Sequence, residues 1–252
     1  MGDLITVIAP VFLVTAFGYF ATKRGILSEI HIDGLVLFTQ KFAIPCLLFY
    51  AIANLELGQY FAPKLLLSYY LPAIAMFGIG MSGARLIFKR TLEDSVSIGF
   101  ACLFSNSVLL GLPITERAYG AGSLDPNFAI IALNAPTCYI VGIAAMDIVR
   151  SRTADTAKSA LQTIKAITKS ITHNALVIAI ALGFIANITQ IALPTIIDDA
   201  LNMMIRAALP TAVFALGGVL AQYKIEGDIG PVALICGLSL LLQPALTFTM
   251  IH

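Results

Sequence analysis

Eight stretches of this chain are long and apolar enough to cross a lipid bilayer. They run from Leu4 to Thr22, Ile32 to Asn54, Leu65 to Phe88, Ser95 to Thr115, Phe128 to Val149, Asn174 to Ile191, Ile196 to Gln222 and Ile229 to Ile251. Each is close to the roughly 20 residues a helix needs to span about 30 Å of hydrocarbon. In hydrocarbon, every backbone N–H and C=O must be satisfied within the protein. Stretches of this kind therefore fold as membrane-spanning helices, and the expected class is an all-α integral membrane protein. Composition agrees. Hydrophobic residues make up 59% and charged residues 12%, with a mean hydropathy of +0.92. Soluble domains carry roughly twice that charge, which excludes one here. A net charge of +1 gives no reason to expect nucleic acid as a partner. The opening Met-Gly-Asp-Leu has no basic leader and no small-residue cleavage site, so the first stretch reads as a retained span.

Charge in the connections sets the expected orientation. Connections after the odd-numbered stretches hold Lys23 and Arg24; Arg85, Lys89 and Arg90; Arg150, Arg152, Lys158, Lys165 and Lys169; and Lys224. Those after the even-numbered stretches hold only Lys64 and Arg117. Basic loops stay in the cytoplasm, so the N-terminus is expected outside. The one long connection, from residue 151 to 173, repeats apolar residues at spacings of three and four. Lys158, Lys165 and Lys169 lie on its other side. This predicts an amphipathic helix, either on the inner membrane surface or as a soluble linker.

The fourth stretch departs from the rest. It places Ser105, Asn106 and Ser107 in a row and follows them with Gly111 and Pro113. Polar groups are costly in hydrocarbon, and proline removes one rung of the helical ladder. Two readings fit. In one, a helix interrupted near Gly111-Leu-Pro113 borders a water-filled cavity, as the broken helices of transporters do. In the other, a kinked helix uses its Asn and Ser side chains to hold its neighbours.

The two sides of the long connection echo each other. Lys41-Phe-Ala-Ile-Pro45-Cys-Leu-Leu-Phe49 matches Arg206-Ala-Ala-Leu-Pro210-Thr-Ala-Val-Phe214 in its basic residue, Ala, aliphatic, Pro and Phe. Leu71-Pro72-Ala73 likewise answers Gln243-Pro244-Ala245. Residues 1–150 would form a first five-helix repeat, 151–173 the linker, and 174–252 a second repeat with three helices. An odd-numbered repeat inverts its copy across the membrane. Lys41 and Arg206 would then be matched intramembrane charges, which either snorkel to opposite faces or attract an anion. By comparison with the first copy, the second lacks partners for stretches four and five, roughly 60–70 residues.

Ser105 through Tyr119-Gly120, with its Asn, Gly-x-Pro and Tyr-Gly, and Ala43-Ile-Pro-Cys-Leu-Leu-Phe49 resemble the auxin efflux carrier family of membrane transporters. The resemblance implies a ten-helix fold similar to the bile-acid sodium symporters, with eight of the ten present here. It also implies that the fourth and ninth helices break and cross at the substrate. Asn106 and Pro113 would belong to the first crossing helix. Bacterial members are similar to malonate or malate carriers and plant members move auxin, so the implied substrate is a small carboxylate.

The expected function is therefore secondary transport of small organic anions by alternating access, in a multi-pass protein of the bacterial inner membrane. The candidate substrate-binding residues are Ser105, Asn106, Ser107, Gly111, Pro113, Lys41, Pro45, Arg206 and Pro210. A proton or sodium ion is the expected coupling partner beside the lipid bilayer, and a homodimer is kept open. The alternatives are a non-transporting, receptor-like membrane protein and an inactive fragment of the carrier. No nucleophile–base pair, phosphate loop or metal-ligand spacing argues for an enzyme, a metal or a cofactor. Cys46, Cys102, Cys138 and Cys236 read as small packing residues. Tyr60, Tyr69 and Tyr70 would contribute to an interfacial aromatic belt. Asp147, three residues before Arg150, suits an interfacial ion pair or a cation site. Asn134 and Pro136 suit a cavity lining or a kink. Asn187-Ile-Thr189 is read as an accidental glycosylation match, and the histidines receive no role.

Overall fold

The computed structural model describes residues 2–153, 160–191, 193–223 and 228–251, and every regular element among them is helical. In order they are α1 (Gly2–Lys23), α2 (Glu29–Phe38), α3 (Ile44–Ala53), α4 (Leu57–Tyr60), α5 (Pro63–Leu86), α6 (Leu92–Leu103), α7 (Leu112–Tyr119), α8 (Asp125–Thr153), α9 (Ala160–Thr172), α10 (Ala175–Thr189), α11 (Thr195–Gln222), α12 (Ile229–Gly237) and α13 (Gln243–Ile251). Three five-residue π-helical turns join consecutive helices: π1 (Thr39–Ala43), π2 (Ser107–Gly111) and π3 (Leu238–Leu242). Among the described residues, seven helices or joined helices are long and apolar enough to cross a membrane. All seven fall on predicted stretches.

The sixth predicted stretch is a partial exception. Its helix, α10, has 15 residues, or roughly 22 Å at 1.5 Å per residue, which is short of the hydrocarbon thickness. Its caps set that length. Asn174 Oδ1 accepts from Leu176 and Val177 N–H at one end, and Gln190 turns left-handed (φ 53°) at the other. It reaches span length only when counted together with Leu161–Thr172 of α9. The expected amphipathic segment forms a helix over its described part, Ala160–Thr172, while Lys158 lies outside the described residues. Ile167 and Ile171 are partly buried, whereas Leu161, Ile164, Lys165 and Lys169 are exposed.

The three π turns share one sequence cause. Each ends two residues before a proline: Pro45, Pro113 or Pro244. Proline donates no N–H and crowds the carbonyl four residues back. In each case the residue before the proline donates to the carbonyl five residues back: Ile44 to Thr39, Leu112 to Ser107, Gln243 to Leu238. The extra residue makes room for the ring. Pro10, Pro72, Pro136 and Pro210 sit inside unbroken helices instead. The paired prolines of the two predicted repeats thus have different local geometry.

The chain divides into two compact units. The first comprises Met1–Tyr60, Asn106–Ile131 and Asn174–Ile225. In it, α1 lies along α11, α10 lies on α3, and α11 also packs against α2, α3, π1 and π2. The α1–α11 contact is backbone-close. A Cβ on Gly18 would overlap the Phe214 carbonyl, and one on Gly217 would overlap the Thr15 carbonyl. Small residues permit this approach where lipid supplies no hydrophobic drive between helices. Arg117 ties α7 to α1 by donating to the Val7 carbonyl at 3.1 Å.

The second unit comprises Phe61–Ser105, Ala132–His173 and Glu226–His252. Here α5 packs on α6 and α13, and α12 on α6. Cys102 is buried with Met76 and Leu238, and Cys138 with Ala73 and Leu103, as packing residues. Cys236 departs from that expectation and is exposed, because it lies on the outward face of α12. Buried hydroxyls are turned back onto their own helices: in this unit Ser68 donates to the Leu65 carbonyl and Ser95 to that of Thr91. A helix in lipid needs this self-satisfaction.

Candidate functional site at the break in the fourth span

The fourth span, Leu92–Tyr119, is two helices. α6 ends at Leu103, Phe104 is extended (φ −81°, ψ 111°), and Asn106 stands at φ −81°, ψ 60° before π2 begins at Ser107. The break falls near the middle of the span. This corrects the expectation of an interruption at Gly111-Leu-Pro113. Gly111 is right-handed helical (φ −59°, ψ −55°), and the helix runs on through Pro113, whose ring the preceding π turn accommodates. A Cβ on Gly111 would make only ordinary contacts, 3.6 Å from the Asn106 carbonyl. The polar triplet makes the break. Asn106 Oδ1 accepts the Leu109 N–H at 3.1 Å, offering the backbone an alternative to the helical ladder and starting a new helix.

In the second unit, the Cys102 carbonyl near the end of α6 accepts from Ser239 Oγ at 3.4 Å. In the first unit, the start of π2 presents backbone N–H groups, the positive end of a helix dipole. The Asn106 cap uses only the carbonyl oxygen of the side chain. Its amide NH2 belongs to an exposed residue and remains able to donate. Such an arrangement favours an anion.

Seven of the other candidates lie in the same compact unit as Asn106, and Ser105 belongs to the second. Ser107 and Gly111 are partly buried and Pro113 is buried. Lys41 is exposed in the middle of π1, at the centre of the span Glu29–Ala53, and Pro45 is partly buried. Arg206 and Pro210 are exposed on α11. Both π1 and π2 pack against α11, so the turns that carry Lys41 and Asn106 share a neighbour that carries Arg206. Among the described residues, neither Lys41 nor Arg206 forms a salt bridge.

Two residues escaped the sequence reading. Tyr69, assigned to an aromatic belt, shares a hydrogen bond between its hydroxyl and that of Ser105, at the break, and stacks edge-on with Tyr70 at 5.0 Å. The available signal was a pair of polar-tipped aromatics inside a span. Asn187, set aside as a sequon match, donates its amide to the carbonyls of Ile52, Ala53 and Leu55 at 3.0, 3.0 and 2.8 Å. It caps the end of α3 from α10. Asp147 accepts from Thr163 Oγ1 at 2.8 Å, and Arg150 pairs with Glu93 at 3.4 Å. Asn134 accepts from the Cys138 thiol at 3.8 Å.

A helical membrane protein with a mid-span break and a capped half-helix has the construction of a transporter. The comparison with known proteins agrees: the family described as membrane transport protein matches residues 3–251, and the chain belongs to that family. The resemblance to auxin efflux carriers thus holds at the level of the family. Among curated relatives, the protein named Uncharacterized transporter YfdV of Escherichia coli K12 is 26% identical over 230 residues, covering 90% of this chain and 70% of the relative. Proteins of the same name from Escherichia coli O157:H7 and Shigella flexneri match to the same extent.

Proposed function

We propose that this protein is a secondary carrier of small organic anions, with the substrate carboxylate held at the break of the fourth span. The observation that carries this reading is the half-helix that begins at Ser107 with Asn106 as its cap, near the middle of a membrane span. Substrate carboxylates sit on half-helix N-termini at the bilayer midplane in other carrier folds. The backbone N–H groups and the Asn106 amide would hold the carboxylate, with the hydroxyls of Ser105 and Ser107 beside them. Lys41 and Arg206 would raise the local anion concentration, Arg206 through a bidentate fork and Lys41 as a point charge. Malonate, malate and auxin-like acids fit this chemistry.

A gradient of protons or sodium ions would drive the cycle by alternating access, in a bacterial inner membrane with the N-terminus outside. The five-helix repeat in inverted orientation belongs to this reading. The test is uptake into liposomes of a panel of mono- and dicarboxylates, with amines and neutral sugars as controls. Asn106→Ala removes both cap and donor and is expected to lower carboxylate uptake at least about tenfold, the equivalent of one charge-assisted hydrogen bond. Lys41→Gln and Arg206→Gln are expected to raise apparent KM while leaving folded protein intact. Preference for cationic or neutral substrates would reject the anion site. Unchanged uptake in all three variants would place the substrate elsewhere.

A further inference from the structure

The second compact unit holds a cavity of about 510 Å³ that the transport reading does not use. Its floor is one stripe of α8, from Cys138 to Arg150, with Ile143 and Met146 between them. α6 forms one wall through Val96, Ser97 and Phe100, and Ala166 of α9 contributes to the other. The lining is mostly apolar, but its polar groups are not scattered. Asp147 and Arg150 lie together at the end of the stripe, where α8 leaves the apolar span. Thr163 of α9 holds the Asp147 carboxylate, and Glu93 at the start of α6 holds the Arg150 guanidinium. Both Arg150 and Glu93 are about half exposed, so this end is open.

Shape and charge narrow the occupant. Cys138 and Arg150 are separated by roughly 18 Å along the helix, at 1.5 Å per residue. The volume spread over that length leaves a channel about as wide as one hydrocarbon chain. An apolar channel of that girth with a paired acid and base at its bilayer-surface end is complementary to an amphiphile whose head carries both charges. A purely anionic head on Arg150 would meet the Asp147 carboxylate beside it. We propose that the cavity binds one zwitterionic aminophospholipid. Its phosphate lies on Arg150, its primary ammonium donates to Asp147, and one acyl chain runs past Met146, Ile143 and Phe100. Because α9 supplies both Thr163 and Ala166, the bound lipid ties that helix to α6 and α8. The exposed Leu161 and Ile164 of α9 suit a helix lying at the membrane surface.

The test is native mass spectrometry of the purified full chain in detergent. Dioleoyl phosphatidylethanolamine, phosphatidylcholine and phosphatidylglycerol are added separately and in equal mixture. The expected result is one retained lipid per chain, with phosphatidylethanolamine preferred over each competitor by about tenfold, as one charged hydrogen bond provides. The choline head cannot donate to Asp147, and the glycerol head carries no positive charge. Asp147→Asn is expected to erase the preference over phosphatidylcholine, and Arg150→Gln to weaken all retention. Lys165→Gln, on the exposed side of α9, is expected to change neither. Asp147→Asn preserves side-chain size, Arg150→Gln shortens an exposed side chain at the open end of the cavity, and a monodisperse elution profile confirms folding. Equal retention of the three lipids, preference for phosphatidylglycerol, or a preference unchanged in both Asp147→Asn and Arg150→Gln would overturn the proposal.

Discussion

Asn187 shows how much a single polar side chain can do inside a bundle of this kind. Its amide donates from a different helix to the carbonyls of Ile52, Ala53 and Leu55, at and just beyond the end of α3. The Ile52 carbonyl also accepts from Leu55 N–H at 3.3 Å, so removing Asn187 takes the donor chiefly from Ala53 and Leu55, at a cost of about 1–3 kcal/mol for a buried unsatisfied group. Asn187→Ala should therefore lower the thermal unfolding temperature of the purified protein, and Asn187→Asp should do no better, because a carboxylate cannot donate. An Asn187→Ala protein as stable as the parent would assign the capping role to water. At the break, Asn106 works in the opposite sense, its Oδ1 accepting the Leu109 N–H at the start of its own half-helix, and Tyr69 reaches Ser105 from α5. The Asn106 bond is local, three residues along the chain, whereas the partners of Tyr69 and Asn187 are distant in sequence.

At the scale of elements, prolines and polar residues divide the work. Pro45, Pro113 and Pro244 each demand one extra residue in the preceding turn, and the helix continues through it. The actual break comes from Phe104–Asn106, where a side chain competes with the backbone for hydrogen bonds. Pro113→Ala should therefore relax π2 toward a regular α-helix while leaving the break in place. Single cysteines at Ser105 and Asn106, in a background without the four native cysteines, should react with a small hydrophilic thiol reagent in both the parent and the Pro113→Ala protein. Loss of reactivity on replacing Pro113 would return the break to the proline. A plain kinked helix would leave both positions inert throughout. Close helix contact follows a different rule: the α1–α11 approach depends on Gly18 and Gly217, which have no side chain to hold the backbones apart.

For the whole molecule, the distribution of basic residues predicts that the connection after Thr22 lies in the cytoplasm and the connection after Asn54 outside. Reporter fusions at those two points check this, and the opposite pattern would overturn both the orientation and the inverted repeat. The compact units do not follow chain order. Each draws segments from before and after the long connection, whereas a reading by sequence divides the chain into consecutive halves. The number and placement of the spans were legible because bilayer thickness imposes a length, and hydrocarbon imposes an apolar composition, on every spanning helix without reference to its neighbours. The family was legible from two short stretches, Ala43–Phe49 and Ser105–Gly120, for the same reason: their prolines and polar residues are exceptions in an apolar background. The position of the break and the shortness of α10 rest on local caps, Asn106 on Leu109 and Asn174 on Leu176 and Val177, which hydropathy does not register. The partners of Tyr69 and Asn187 and the exposure of Cys236 were decided by tertiary structure. Each depends on which carbonyl, side chain or helix face stands opposite, and that is set by residues 36 to 135 positions away in the chain for Tyr69 and Asn187.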